Sequence, residues 1–151
     1  MSKELPAQLV EIANEFAAMA IPDRLQLLLE FSAELPALPQ RYADHPDLLE
    51  PVPECQSPIF LVTEVSGTGP EAGVDVFFSA PAEAPTTRGF AGILSEGLQG
   101  MTASEILAVP LDLPHRLSLG DAVSPLRLNG MGGMLMRIQR QVADKAELPR
   151  P

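Results

Sequence analysis

A proline-rich stretch over residues 36–58 places the strongest limit on how this chain can fold. It holds six of the chain's 16 prolines, at positions 36, 39, 46, 51, 53 and 58. Because proline lacks a backbone N–H and fixes its φ angle, no long helix or central strand can run through it. No hydrophobic period is present there either, which predicts a long connection without regular structure. In a compact domain such a connection is either functional or disordered.

Before this stretch, hydrophobic residues recur with the period of two amphipathic helices. The predicted stripes are Leu9, Ile12, Ala13, Phe16, Met19 and Ala20 in the first helix, and Leu25, Leu28, Leu29 and Leu35 in the second. Pro22 suits the first turn of the second helix, and Asp23 beside it complements the helix dipole. Since neither helix can bury its stripe alone, we expect a helical hairpin packed on the rest of the chain.

After the stretch, two short runs rich in β-branched and aromatic residues predict a small sheet. The first run covers residues 59–65, and the second covers residues 74–79 with Val74, Val76 and Phe78 on one face. The glycine-rich turn between them favours an antiparallel hairpin, although the sequence alone leaves parallel pairing open.

Helical patterns return after Pro85. The apolar face of the next predicted helix comprises Phe90, Ile93, Leu94, Gly97 and Leu98. Gly100 fits a stop at the end of this helix. Thr102 and Glu105 have the spacing of a capping box, which predicts a short helix. A brief segment over residues 113–119 follows it.

The last predicted helix begins at Ser124 and Pro125, which suit its cap and its first turn. Its apolar stripe is Met131, Met134, Leu135, Ile138 and Val142. Arg137 and Arg140 are expected to face away from this stripe. The predicted fold class is α+β, with two N-terminal helices, a small antiparallel sheet and further helices packed over it. We expect a single domain over residues 1–151, with its core at about residues 8–145.

Composition excludes several classes of function. Twenty acidic residues against ten basic ones give a net charge of −10, which disfavours nucleic-acid binding because the field repels phosphate. The same charge either steers the chain toward a partner with a basic patch or serves solubility alone. No apolar run approaches the roughly 20 residues that cross a bilayer, and the N-terminus lacks the features of a signal peptide. We therefore expect a cytoplasmic chain without a membrane partner.

The only cysteine is Cys55, near the end of the proline-rich stretch and just before the first predicted strand. One cysteine cannot form an internal disulfide, and structural zinc needs several cysteine or histidine ligands, so no metal site is expected. Pro53 and Pro58 restrict the loop, while Gln56 and Ser57 supply hydrogen-bonding groups beside the sulfur. A thiol in such a loop is either a nucleophile or an inert small hydrophobe.

Sulfur transfer is one reaction open to a lone nucleophilic cysteine, because a thiolate can attack a persulfide and then carry the outer sulfur. No Lys, Arg or His lies in the adjacent sequence to lower the pKa of Cys55. Glu54, directly before it, is expected to raise that pKa. Activation of the thiol must then come from residues distant in the sequence or from a partner.

Four segments, in chain order, resemble the SufE family of sulfur acceptors. They are Cys55-Gln56-Ser57 before an apolar strand, Arg88-Gly89 opening the central helix, residues 101–107 as a short helix, and residues 124–131 opening the last helix. The resemblance spans roughly residues 8–143, and the ordered set is more specific than any one segment. Glu54 stands where the family usually has glycine, and Phe60 where it usually has tryptophan.

The resemblance implies a fold shared with iron–sulfur scaffold proteins of the IscU type. It also implies a role as sulfur acceptor and activator for a pyridoxal-phosphate-dependent, SufS-like cysteine desulfurase, with sulfur passed on toward an iron–sulfur scaffold complex. By this analogy Cys55 carries the persulfide, and Gln56, Ser57, Arg88 and Arg127 bind the substrate or the partner. The chain is expected to hold no cofactor and to act as an accessory carrier rather than a stand-alone enzyme.

Two other functions stay open. The chain can be a non-catalytic binding or regulatory module of the desulfurase, with an incidental cysteine. It can also be a thiol redox sensor, although it has no second, resolving cysteine. Arg88 and Arg127 can equally be packing or surface residues near the starts of helices. We expect Cys55 to be partly buried, since exclusion of solvent protects a persulfide.

Overall fold

A small antiparallel sheet lies in the middle of the chain. In the computed structural model, which describes residues 5–151, its strands are β1 (Glu50–Pro51), β2 (Phe60–Ser66) and β3 (Gly73–Ser79). The strand order is β1-β2-β3, and β2 pairs with β3 from Phe60 opposite Ser79 to Ser66 opposite Gly73. The predicted antiparallel hairpin is therefore confirmed. β1 is an addition, because a strand of two residues is too short to show a period in the sequence.

The described residues also form seven α-helices. They are α1 (Ala7–Ala17), α2 (Ile21–Glu34), α3 (Gln40–Ala43), α4 (Pro85–Gly97), α5 (Ala103–Leu107), α6 (Leu113–Arg116) and α7 (Pro125–Lys145). Of these, α7 packs on β2 and α4 on β3. The predicted fold class is α+β, with two helices before a small sheet in the sequence and further helices after it. This prediction is confirmed. Residues 1–4, which belong to the predicted domain, lie outside the described residues.

The proline-rich stretch is more ordered than the sequence predicts. It contains α3, two 3₁₀ turns at Pro46–Leu48 and Pro53–Cys55, and β1. Prolines occupy the first position of both 3₁₀ turns, where their missing N–H leaves no hydrogen bond unmade. The prolines thus begin short elements in this stretch, and the expectation of a structureless connection is wrong.

Helix α7 contributes more buried residues to the core than any other described element. All five residues of its predicted stripe are completely buried. Its start is also as predicted, since the Ser124 hydroxyl accepts the backbone N–H of Arg127 at 3.4 Å and Pro125 fills the first turn. The capping box that opens α5 is present too, with Thr102 and Glu105 each bonding the other's backbone N–H.

Helices α2 and α4 approach each other closely enough that their contact requires glycine. A methyl group added at Gly89 would lie 2.6 Å from the backbone oxygen of Leu28. Gly92 faces the backbone of Phe31 in the same way. Because no side chain fits there, the first residues of α4 are held directly against α2, and this fixes the connection that leads into α4 from the sheet.

The predicted stripe of α2 is partly wrong. Leu25 and Leu29 are 43% and 40% exposed, whereas the buried face of α2 comprises Leu27, Leu28, Phe31 and Ser32. The Phe31 ring stacks on Phe16 of α1 with centroids 5.9 Å apart, and Leu28 and Phe31 also face the glycines of α4, so the buried face of α2 is the one that meets α1 and α4. Helix α1 ends at Ala17, so Met19 and Ala20 lie beyond the helix to which their spacing assigns them.

Side chains of α7 complete the sheet where β1 stops. Gln141 accepts the backbone N–H of Thr63 at 2.9 Å and its hydroxyl at 3.0 Å. Lys145 donates to the backbone oxygen of Thr63. Since β1 pairs only with Phe60 and Leu61, these contacts satisfy polar groups of Thr63 on the edge of β2 that faces away from β3.

Arg137 and Arg140, which are expected to face away from the apolar stripe of α7, are partly exposed and do not belong to the buried face of that helix. Both side chains reach back to acidic residues of the proline-rich stretch, Arg140 to Glu50 and Arg137 to Glu54. The reason is the 3₁₀ turn around Cys55, which packs directly on α7 and brings carboxylates to that face. Of the helices in residues 5–151, none is both long and apolar enough to cross a membrane.

Candidate functional site

Cys55 lies in a tight loop, residues 52–58, that joins β1 to β2 and is called here the cysteine loop. The backbone N–H of Val52 bonds the oxygen of Ile59 at 3.0 Å and so closes the base of the loop. Inside it, the N–H of Cys55 bonds the oxygen of Val52 at 3.1 Å, forming the 3₁₀ turn. These backbone bonds fix the cysteine relative to the sheet.

Gln56, directly after the cysteine, adopts a left-handed conformation with φ of +57°. This region is unfavourable for residues with a Cβ, by about 1 kcal/mol. The conformation turns the chain sharply, so that Gln56 is exposed while Cys55 beside it is half-buried. The expected partial burial of the cysteine agrees with this geometry.

Glycines of α7 let the cysteine loop rest on the helix backbone. The Cys55 thiol donates to the backbone oxygen of Gly130 at 3.6 Å. A methyl group on Gly130 would lie 3.0 Å from the Cys55 sulfur, and one on Gly133 would lie 2.6 Å from Oε2 of Glu54. The sulfur and the neighbouring carboxylate thus occupy the space that side chains would fill on an ordinary helix.

An ion pair joins the cysteine loop to α7 beside the sulfur. Arg137 Nη1 donates to Oε2 of Glu54 at 2.7 Å and to the backbone oxygen of Gly133 at 3.1 Å. Its Nε lies 3.5 Å from Oε2 of Glu50, the carboxylate that Arg140 also binds. The hydrogen bond from Arg137 holds the pKa of Glu54 below its usual value, so this carboxylate stays ionised.

The Cys55 thiol is protonated in this setting. Burial and, to a smaller extent, the negative charge of Glu54 raise the pKa of Cys55 to about 12, and the positive charge of Arg137 opposes both. A thiol must ionise before it can act as a nucleophile. The free protein therefore holds its only thiol in an unreactive form.

The sulfur faces a cleft of about 420 Å³. Its lining consists of Cys55, Gln56, Ser57, Glu83, Ala84, Pro85, Thr86, Thr87 and Arg127. Arg127 Nη1 donates to the hydroxyl of Thr86 at 3.3 Å, which links α7 to the first turn of α4 across the cleft. Four of the five predicted site residues, Cys55, Gln56, Ser57 and Arg127, are thus brought together.

Arg88, the fifth predicted site residue, does not line this cleft. Its Nε donates to the backbone oxygen of Ser32 at 3.0 Å, and its Nη1 donates to that of Ala80 at 2.6 Å. Arg88 therefore ties the end of α2 and the chain leaving β3 to the start of α4. No group of three or more His, Cys, Asp or Glu residues in the described part of the chain is arranged to hold a metal ion.

The sequence profile of the SufE family, described as the Fe-S metabolism associated domain, matches residues 10–142. That range contains the cysteine loop, the cleft and the α7 residues that contact the loop. The chain belongs to the SufE family.

Relatives across bacteria and plants resemble this SufE-family chain over nearly its whole length. Two strains of Mycobacterium tuberculosis have a protein described as an uncharacterized SufE-like protein, 53% identical over 140 residues, which are 93% of this chain and 94% of the relative. The SufE-like protein 1 of Arabidopsis thaliana, described as chloroplastic/mitochondrial, is 26% identical over 140 residues, 92% of this chain but 36% of that protein.

A solved structure has the same fold. The solution structure of a hypothetical protein from Thermus thermophilus superposes with a TM-score of 0.77 at 35% sequence identity, covering 95% of this chain and 98% of that one. The two chains therefore share one α+β fold.

Sequence reasoning missed Arg137 as a site residue, although its ion pair with Glu54 joins the cysteine loop to α7. Arg137 and Glu54 are 83 positions apart, and no local period links them. One sequence signal was available: the resemblance leads to the expectation of glycine at position 54, and a charged side chain packed against a helix needs a partner. Gly133, one turn before Arg137, has no side chain, and the Glu54 carboxylate occupies the space that a side chain would fill.

Proposed function

We propose that this chain accepts sulfur from a cysteine desulfurase onto Cys55, stimulates that enzyme, and carries the sulfur toward iron–sulfur cluster assembly. One observation carries the proposal: the only cysteine is fixed by a tight loop at the edge of a polar cleft, half-buried and protonated. A carrier needs a single sulfur site that stays inert until a donor reaches it. Membership of a family associated with Fe-S metabolism supports the same role.

The transfer step needs only the Cys55 thiolate and a persulfide presented by the desulfurase. The thiolate attacks the outer sulfur, a bond forms between that sulfur and Sγ of Cys55, and the sulfur–sulfur bond of the donor breaks. The donor cysteine leaves as a thiolate, so no external oxidant or reductant is consumed. The proton of Cys55 must leave before the attack, because its raised pKa leaves almost no thiolate near neutral pH.

Residues around the cleft have roles that suit this reaction. Arg127 carries a positive charge on the cleft wall and can orient toward a sulfur anion. Gln56 and Ser57 offer hydrogen bonds beside the sulfur, and the exposed position of Gln56 suits contact with a partner. A net charge of −10 favours a donor enzyme with a basic surface around its own cysteine, and the proposed setting is the cytoplasm.

Intact mass measurement tests the proposal. The protein is incubated with a cysteine desulfurase and free cysteine, and its mass is compared with and without reductant. A reducible gain of one sulfur atom in the wild-type protein, absent in Cys55→Ser, is expected. No gain in a folded protein beside an active desulfurase would refute the carrier role.

The second candidate is a binding or regulatory module with an incidental cysteine. It is supported only by the unreactive resting state of the thiol, which a module without sulfur chemistry would share. Desulfurase turnover in the presence of Cys55→Ser separates the two functions, because a binding module still stimulates the enzyme. A redox sensor has less support, since oxidants react with thiolates and Cys55 is protonated.

A further inference from the structure

The Glu54–Arg137 pair has a geometry that ties it to the sulfur rather than to general stability. Glu54 directly precedes Cys55, and its carboxylate lies over Gly133 of α7. Arg137 binds that carboxylate at 2.7 Å and the Gly133 oxygen at 3.1 Å, so the guanidinium closes the contact from the helix side. The Arg137 side chain is only 20% exposed, which limits screening of its charge by solvent.

We infer that Arg137 is a positioning residue for Cys55: through Glu54 it fixes the cysteine loop on α7, and these two opposite charges together set how readily the sulfur becomes an anion. With Glu54 in place, its carboxylate neutralises the charge of Arg137, and the Cys55 thiol keeps its proton. When Glu54 is drawn away, Arg137 keeps only its 3.5 Å ion pair with Glu50, and the anion that opposes its effect on the sulfur is gone. The inference deepens the proposed function and rests on it for its biological meaning, although its test does not.

Four charged groups lie in the cysteine loop or on the segments beside it, and a fifth, Glu50 of β1, contacts Arg137 at 3.5 Å. Glu54 lies on the 3₁₀ turn itself, Arg137 and Arg127 on α7, and Glu83 on the connection before α4. Arg127 and Glu83 line the open cleft, where water screens them, and the nearest bond of Arg127 is to a neutral hydroxyl. Among the first four groups, only Glu54 and Arg137 form an ion pair with each other.

This arrangement predicts opposite effects from two substitutions that break the same bond. Glu54→Gln removes the anion beside Cys55 and leaves Arg137 with only the Glu50 carboxylate at 3.5 Å, which favours the thiolate. Arg137→Gln removes the cation and leaves Glu54 unpaired, which disfavours it. Both variants remove the same ion pair between the cysteine loop and α7. A merely structural latch would therefore change thiol reactivity in the same direction in both.

The experiment measures the rate constant of the Cys55 thiol with an uncharged disulfide, dipyridyl disulfide, between about pH 7 and about pH 9. A shift of about one pKa unit in each direction changes the thiolate fraction tenfold each way. Lower nucleophilicity of a more acidic thiol offsets about half of this on a logarithmic scale. We expect Glu54→Gln to react about tenfold faster than Arg137→Gln at each pH.

Three further variants complete the comparison. The double variant Glu54→Gln with Arg137→Gln lacks both charges, and its rate is expected between those of the single variants. Arg137→Lys keeps the cation and is expected to restore a rate near that of the wild type. Arg41→Gln is the matched control for charge, because Arg41 pairs with Glu64 away from the cysteine loop, and its rate is expected to equal that of the wild type.

Equal rates in the two single variants, or a faster rate in Arg137→Gln, would overturn the inference. Circular dichroism establishes that each variant is folded, and Arg137→Met replaces Arg137→Gln if the latter does not fold. The failure of the proposed function is distinguishable, because the reagent reports on the free protein without any desulfurase. A correctly ordered series with no persulfide formation would retain the inference and remove the sulfur-carrier role.

Discussion

At the residue scale, the environment of Cys55 favours the neutral thiol. Burial and the adjacent Glu54 carboxylate both raise the pKa of its thiol, and one arginine opposes them. The sulfur therefore needs a change in its surroundings before it can react. In the proposed function, docking of the donor enzyme would provide that change by displacing Glu54 or by presenting a base. A protonated thiol would also resist oxidation between the proposed transfers.

The raised pKa of Cys55 makes a prediction about stability and pH. The unfolded thiol ionises at a pKa of about 8.5, whereas the folded thiol keeps its proton up to about 12. The folded state thus binds this proton more tightly, so the stabilisation is fully present below the unfolded pKa and is lost as pH rises toward the folded one. We expect the free energy of unfolding to fall more steeply between about pH 8 and about pH 10 in the wild type than in Cys55→Ala.

Urea unfolding at several pH values checks this, because other titrating groups are common to both proteins. Parallel pH dependence in the wild type and in Cys55→Ala would show that the thiol ionises alike in the folded and unfolded states.

At the scale of elements, the site is built where α7 meets the cysteine loop and the start of α4. Glycines on α7 admit the loop, and glycines on α4 admit α2. Arg88 then fixes α4 through two bonds to backbone oxygens of other elements. The cleft wall at residues 83–87 is the direct continuation of that anchored segment. The position of residues 83–87 relative to the Cys55 sulfur thus depends on how α4 packs on α2, outside the cleft itself.

We predict that Arg88 stabilises the fold, whereas Arg127 contributes to sulfur acceptance. Arg88→Met breaks two charge-assisted hydrogen bonds to partly buried backbone oxygens, and we expect a loss of about 2 kcal/mol in the free energy of unfolding. Sulfur acceptance should persist in the folded fraction. Arg127→Met, the same chemical change at an exposed residue with one bond of 3.3 Å, should leave stability nearly unchanged but slow sulfur acceptance.

Denaturation curves and sulfur loading, measured on both variants, decide between these roles. If Arg88→Met were as stable as the wild type but poor at accepting sulfur, Arg88 would be a partner-binding residue and not an anchor.

Long periodic segments were predictable from the sequence, and contacts between distant segments were not. The stripe of α7 could be read directly because its apolar positions repeat with the helical period along one long helix. Helix α2 is leucine-rich on two faces, so its packing against α4 and the contact of Phe31 with Phe16 decide which leucines are buried. Cys55 and its loop were identified from local sequence, whereas the Arg137 contact depends on how the loop lies on α7.

At the scale of the whole molecule, twice as many acidic as basic residues create a negative field that extends beyond any one contact. Several of the few arginines are occupied by internal ion pairs with Glu50, Glu54, Glu64 and Asp144. The field outside the protein is therefore dominated by carboxylates. Encounter with a basic partner would be accelerated, and encounter with nucleic acid would be opposed.

The rate of association with the proposed donor enzyme should accordingly depend on salt. We expect the association rate constant to fall by about tenfold or more between about 50 mM and about 500 mM salt, with a much smaller change in the dissociation rate. Stopped-flow or surface binding kinetics measure both constants. An association rate independent of salt would mean that the net charge serves solubility alone.

The contacts of Gln141 and Lys145 with Thr63 have a consequence for the protein at high concentration. A strand that ends its pairing early exposes a ladder of donors and acceptors to which another copy of the chain can add, and this is a route to aggregation. Here Gln141 and Lys145 of α7 already bond the backbone N–H and the backbone oxygen of Thr63. A strand from another copy therefore cannot form hydrogen bonds with these groups. The helix that supports the cysteine loop thus also guards the sheet against self-association.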